Sequence, residues 1–235
     1  NLESEKFLKK LNVKKVNRVG NLKFCEIKNQ KKTHLKNNFI LSIKKRLIFC
    51  ASSTHPGEEN QIAKTHLILK KKYKNLLTII IPRHVERIGE IYNDLSSLNL
   101  KTIIRTSNKK INSKTDIYLV DTYGETKKFF NISKIAFIGG SIINHGGQNP
   151  IEPARFGLNI LHGPNIQNFK DIYQFFNKSK IAHKFNNLKQ LITISDKLLM
   201  RKKNKKINLV KMGKLILRKN LNEIYKIFNN EIKKT

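Results

Sequence analysis

The stretch "IIIPRHVER" ends an apolar run in Pro82, Arg83 and His84 and then opens a helical pattern near Val85. A guanidinium at that junction would lie where helix N–H groups also point, which suits a phosphate or another anion. The plain alternative is a surface ion pair with Glu86. Three further stretches carry related chemistry. In "ASSTHPGEE" the apolar run stops at Ser52, Ser53, Thr54 and His55, Pro56 and Gly57 turn the chain, and Glu58 and Glu59 fall in a first helical turn. Capping hydroxyls, an early proline and acids at a helix start account for all of these except His55. In "LVDTYGET" Asp121 closes a run, and Gly124 with Glu125 begins the next segment, a turn whose backbone N–H groups can approach a ligand.

The fourth stretch, "GGSIINHGGQNPIEPARFG", covers residues 139–157. Its glycines expose backbone after a strand, and "NPIEPARFG" has the grammar of a short helix. Asn149 is the cap, Pro150 the first position, Glu152 the third and Gly157 the terminator. Two readings of Glu152 stand side by side. It is a capping-box carboxylate returning to the Asn149 N–H, or it accepts hydrogen bonds from the ribose hydroxyls of a nucleotide. No P-loop, G-x-S-x-G or H-E-x-x-H motif occurs, and "FIGGSIINHGG" lacks the G-x-G-x-x-G spacing of a dinucleotide site.

The elements that must position these residues can be read from periodicity. Short runs rich in β-branched residues, "RLIFCAS", "LLTIIIP", "KTIIRT", "IYLVD", "IAFIGG" and "LNILHG", predict buried strands. Helical patterns such as "GEENQIAKTHLILKKKY" and "VERIGEIYNDLSSL" alternate with them, which predicts an α/β fold with a parallel sheet covered on both faces. In such folds ligands bind at the carboxyl ends of the strands, where all four stretches fall. Residues 1–22 predict a short helix and a tail, 23–45 a linker and a surface helix, and the chain beyond about 165 is mainly helical. The last helix, amphipathic, is expected to pack on the sheet domain with its basic face solvated.

Composition narrows the class without choosing a partner. The 235 residues carry 48 Lys+Arg against 16 Asp+Glu, a net charge of +32 that favours nucleic acid, anionic lipid or nucleotide ligands, although a general Lys and Asn bias explains part of it. A hydrophobic content of 39% argues for a globular protein rather than a basic tail. Cys25 and Cys50 show no metal-ligand spacing, which argues against a zinc site or disulfide framework and makes a reducing compartment the default. No apolar run approaches the roughly 20 residues needed to span a bilayer.

Together, "GNLKF", "STHPGEE", "PRHVER", "DTYGE", "GGSIINHGGQNPIEPARFG" and "GPNIQNFKD" resemble, in order and spacing, the C-terminal half of 3-deoxy-D-manno-octulosonic acid (Kdo) transferases. These are bacterial enzymes that add Kdo to the lipid A precursor. The resemblance implies a Rossmann-like parallel sheet forming the C-terminal domain of a GT-B glycosyltransferase. It implies CMP contacts at Pro82 and Arg83, at Tyr123, Gly124 and Glu125, and at Asn149, Pro150, Ile151 and Glu152. Lys23 of "GNLKF" falls on a position that stabilises the transition state. Tyr123 stands where the family usually has Met, and His145-Gly146-Gly147-Gln148 where it has Arg-Gly-Gly-His.

On this reading residues 1–22 are the tail of an N-terminal acceptor domain, and residues 46–235 are the CMP-Kdo binding domain with its C-terminal helices. The general base lies in the acceptor domain, outside this chain, and inverting transfer needs no metal and no cofactor. Implied partners are CMP-Kdo, lipid IVA and an anionic membrane surface at the cytoplasmic face of the bacterial inner membrane, with no nucleic acid. The rivals are a GT-B enzyme using a UDP-sugar, and a non-enzymatic basic protein that binds nucleic acid or membrane.

Overall fold

Each of the six apolar runs becomes a strand because β-branched and aromatic side chains pack well on a pleated, buried surface. The computed structural model describes residues 2–17, 19–25, 35–201 and 209–232. Its strands are β1 (Leu47–Thr54), β2 (Leu76–Pro82), β3 (Thr102–Ile104), β4 (Ile117–Leu119), β5 (Ile135–Ile138), β6 (Asn159–His162) and β7 (Ala182–Lys184). They form one sheet in the order β3-β4-β2-β1-β5-β6-β7, and every pairing is parallel. The strand β7 was not expected from "IAHKF". It has three residues, of which only Ala182 is buried, and it exists through its register with β6, Ile160 opposite Ala182.

The helices are α1 (Leu2–Lys10), α2 (Asn37–Ile43), α3 (Glu58–Lys72), α4 (Ile88–Ser97), α5 (Thr126–Ile132), α6 (Ile151–Arg155), α7 (Lys170–Lys178), α8 (Leu188–Met200) and α9 (Leu209–Ile232). Alternation along the strands divides the core between two faces. Phe49, Ala51, Ile80 and Phe137 pack with Ile62 and Leu69 of α3, Ile91 and Leu95 of α4 and Leu191 and Leu198 of α8. On the other face Tyr118 and Phe129 stack around Phe39 of α2, and His162 stacks on Tyr173 of α7. Full burial of each large apolar side chain contributes about 1.5–3 kcal/mol, so the sheet is held firmly beneath its loops.

The chain divides into two compact units, one made of Lys32–Lys206 and the other of Asn1–Lys31 with Ile207–Thr235. The expected boundaries, in which residues 46–235 formed one domain, are drawn differently from this division. The helix α9 is grouped with the opening segment instead. There Cys25 Sγ donates to the Gly213 carbonyl at 3.1 Å and Asn17 Nδ2 donates to Glu223 Oε2 at 2.7 Å. A Cβ on Gly213 would stand 2.4 Å from the Phe24 carbonyl oxygen, so only glycine permits the helix to approach that closely. Of the expected linker, residues 26–34 lie outside the described residues.

Candidate functional site

The strand β1 is central, and the connections leaving it run to β2 on one side, while β5 lies on the other. That arrangement is a topological switch point, where a crevice opens outside the carboxyl ends of the strands. The backbone is irregular there. The register of β1 on β2 shifts between Ser52 and Thr54, and Ser53 has φ 54°. A bulge of this kind re-aims the residues immediately after it.

His55, next in sequence, is 4% exposed. Its ring centroid lies 4.3 Å from that of His145 in the loop after β5 and 5.9 Å from that of His84 in the loop after β2. Its Nε2 is 3.4 Å from Gln148 Nε2, a geometry that needs His55 neutral at that nitrogen. Burial, then His145, His84, Arg83 and Arg87, push the imidazole down to about 4. Among the described residues no group of three His, Cys, Asp or Glu side chains could hold a metal ion.

Glu58 opens α3 and is fully buried. Its carboxylate accepts four backbone N–H bonds: from His55 at 3.0 Å, Gly140 at 2.8 Å, Ser141 at 3.1 Å and Ile142 at 2.9 Å. Burial pushes this carboxyl up, and the four amides oppose that by stabilising the charged form. The glycine stretch therefore does not present these N–H groups to a ligand as its composition suggested. They are already taken by the chain's own carboxylate. Gly139, just before them, lies so close to β1 that an added Cβ would be 2.1 Å from the Ser53 carbonyl oxygen.

Pro82 closes β2, and the Arg83 N–H donates to the Thr54 carbonyl at 2.9 Å. The Arg83 side chain is exposed. Its expected ion-pair partner, Glu86, is engaged by His84 at 3.2 Å and by the Tyr123 hydroxyl at 3.4 Å. Arg87, rather than Arg83, makes the ion pairs of this loop, to Glu59 at 3.0 Å and Glu90 at 3.2 Å.

In the third loop Tyr123 is 66% exposed and no described atom lies within 4 Å of a Cβ placed on Gly124. Glu125 is occupied. It accepts from Arg105 at 3.0 and 3.2 Å, from Lys128 at 2.8 Å and from the Thr122 hydroxyl at 2.5 Å. The Arg105 guanidinium, first among these, holds its carboxyl down at about 2.

In the fourth loop α6 starts at Ile151, one residue later than the sequence grammar placed it, and Asn149 Oδ1 accepts from the Ile151 N–H at 3.0 Å. Glu152 pairs with Lys127 at 3.3 Å, which is neither the capping box nor a free carboxylate. Beneath it, the loop is pinned by the Tyr173 hydroxyl donating to the Gln148 carbonyl at 3.1 Å and by Asn168 Nδ2 donating to the His145 carbonyl at 3.1 Å.

These contacts close a ring. His55 with His84, and Glu59 with Arg87, join the first loop to the second; Tyr123 with Glu86 joins the second to the third; Lys127 with Glu152 joins the third to the fourth. Glu58 joins the fourth back to the first. Pro82, Arg83, Tyr123, Gly124, Glu125 and Asn149 to Glu152 all lie along this edge of one unit. Lys23 lies in the other unit, exposed on a 3-10 helix (Leu22–Cys25), with its N–H donating to Asn21 Oδ1 at 3.0 Å.

No family model matches the chain. Among curated proteins, a 3-deoxy-D-manno-octulosonic acid transferase of Haemophilus influenzae is 40% identical over 129 residues, 55% of this chain and 30% of that protein. One from Aquifex aeolicus is 33% identical over 203 residues, 86% of this chain and 53% of that protein. Among solved structures, the C-terminal CMP-Kdo binding domain of WaaA from Acinetobacter baumannii matches at 26% identity with a TM-score of 0.64, over 75% of this chain and 90% of that domain. Over most of its length the chain is similar to 3-deoxy-D-manno-octulosonic acid transferases. It spans about half, or less, of the length of these curated relatives. Its fold is the Rossmann-like parallel sheet of a GT-B C-terminal domain, as the motifs implied.

Within this segment, sequence reasoning missed Arg105, Lys127 and the buried role of Glu58. Arg105 and Lys127 sit in basic runs with nothing local to single them out. Glu58 had a local signal, an acid in a first helical turn, but three of its four partners lie 82 to 84 residues away. "GPNIQNFKD" comes after β6 and supplies Asn165 and Asn168, which brace the glycine loop through its Ile142 and His145 carbonyls, whereas Glu58 takes N–H groups.

Proposed function

We propose that this chain holds the CMP-Kdo donor in an inverting Kdo transferase that delivers Kdo to lipid IVA, the lipid A precursor, in lipopolysaccharide core biosynthesis. The observation that carries the reading is the exposed Arg83 guanidinium, unpaired with any carboxylate among the described residues, at a switch point ringed by four loops. Arg83, with Pro82 shaping its turn, takes the donor phosphate. The backbone at Tyr123, Gly124 and Glu125 approaches the nucleotide, with Glu125 holding the loop through Arg105. Asn149, Pro150 and Ile151 present Glu152 to the ribose hydroxyls, for which Lys127 yields one carboxylate oxygen.

A base outside this chain takes the acceptor hydroxyl proton. The oxygen then attacks the anomeric carbon as CMP departs. For Lys23 the resemblance implies a role in offsetting the charge that develops on the departing phosphate. Residues 1–22 would continue from an acceptor domain. The net charge of +32 favours peripheral attachment to an anionic membrane at the cytoplasmic face of the inner membrane. No helix among the described residues is long and apolar enough to cross a membrane.

Calorimetry with CMP and UDP tests this. The chain should prefer CMP, and Arg83→Ala and Glu152→Ala should each weaken binding about tenfold or more, as expected when a charge-assisted contact is lost. A preference for UDP would make it a UDP-sugar enzyme. Salt-dependent binding to DNA or anionic vesicles that survives both substitutions, without CMP binding, would make it a non-enzymatic basic protein.

A further inference from the structure

We infer that Glu58 is a positioning residue of the donor site, a carboxylate that sets the glycine loop from within and thereby excludes the donor phosphate from that loop's amides; this rests on the donor-site reading above. Three consecutive N–H groups, from Gly140, Ser141 and Ile142, converge on one carboxylate. That is the geometry of an anion-binding nest. In this chain the anion is built in, fully buried and bonded as well to the His55 N–H. The nest is therefore full, and the phosphate must be held elsewhere on the sheet edge, above all by Arg83.

The same carboxylate couples two loops. It holds the N–H of His55 and the start of the stretch that carries His145 and Gln148, and the three side chains meet at 4.3 Å between rings and 3.4 Å from Nε2 to Nε2. The stretch is closed on itself by the Gly147 N–H donating to the Gly140 carbonyl at 2.7 Å and the Gln148 N–H to Gly139 at 3.2 Å. A displacement at Gly140 is therefore passed to Gln148 and on to the Asn149–Glu152 turn. Tyr173 and Asn168 tie the same stretch down through the Gln148 and His145 carbonyls.

The test uses the full 235-residue chain. Glu58→Gln keeps the shape but turns an NH2 group toward N–H donors. Its affinity for CMP should fall on the order of ten- to hundredfold, measured well below its melting temperature, as for a misplacement of about 1 Å. The ring ¹⁵N signals of His55 and His145 should shift with it. Glu58→Ala removes a CH2–COO⁻ fragment of the size of acetate, so sodium acetate should restore both CMP affinity and the ring signals. A lowered melting temperature with CMP affinity within about twofold of wild type and unmoved ring signals would overturn the inference, leaving Glu58 a purely structural residue.

If the wild-type chain does not bind CMP, the donor reading fails, and the ring signals with and without acetate decide the coupling by themselves. Should Glu58→Gln not fold, Glu58→Asp, which keeps the charge one methylene short, is read in the same way.

Discussion

His55 should make this chain lose stability on mild acidification. The unfolded imidazole has an ordinary value of 6.5, and in the folded chain it is pushed down to about 4. Between those values the unfolded state binds the proton and the folded state does not, so stability falls as pH drops from about 6.5 to about 4 and is fully present above that window. At about 1.36 kcal/mol per pH unit, the whole distance corresponds to about 3 kcal/mol. The physical cost is a proton placed in a nearly dry site facing His145, His84, Arg83 and Arg87, where it also ends the contact from Gln148.

Other histidines, His66, His162 and His183, are lowered by burial too, so the His55 share must be isolated by difference. Denaturant unfolding of the wild type and of His55→Gln at several pH values between about 7.5 and 4 provides it. The stability gap between the two should change by about 2–3 kcal/mol across the window, in the direction of relative wild-type loss at low pH. A gap that stays constant, or an NMR titration of His55 with a midpoint near its ordinary value of 6.5, would refute the reasoning.

Two further expectations concern the loops. Gly139→Ala drives a Cβ to 2.1 Å from the Ser53 carbonyl oxygen, where no side chain can move aside, so it should cost about 3 kcal/mol and lower the melting temperature by roughly 6–10 °C. Gly89→Ala is the control, an exposed site in α4 where an added Cβ meets no described atom within 4 Å beyond its own neighbours and helix backbone, and it should melt no lower than wild type. Glu125→Gln removes the charge that Arg105 and Lys128 share, and should destabilise by about 1–2 kcal/mol at neutral pH. In thermal melts that deficit should close as pH falls from 4.5 toward about 2, because the wild-type carboxylate is itself protonated there.

Much of this molecule was legible in local patterns. The runs around Phe49, Ile80, Ile117, Phe137 and Ile160 announce strands because burial on both faces of a parallel sheet demands continuous apolar sequence. The strand β7 escaped because an edge needs little apolar character, and only pairing with β6 makes "AHK" a strand. The helix α9 announced itself as amphipathic, yet periodicity names a face and not its partner. Gly213 and Glu223 found theirs in Phe24, Cys25 and Asn17 at the other end of the chain.

The same division runs through the site. By itself the sequence determined which residues stand at strand ends: Arg83 after an apolar run, Gly124 at a turn, and Asn149 before a helix. Those are short-range consequences of burial, turn chemistry and capping. Only the tertiary structure decided which polar groups remain open to a ligand. Glu58 fills the glycine loop's amides, Lys127 takes Glu152, Arg105 takes Glu125, and Arg83 is left exposed. A hydrogen bond or ion pair depends on separations of about 3 Å between groups that can be far apart along the chain. Chain order does not encode such distances; packing the loops onto one sheet edge creates them.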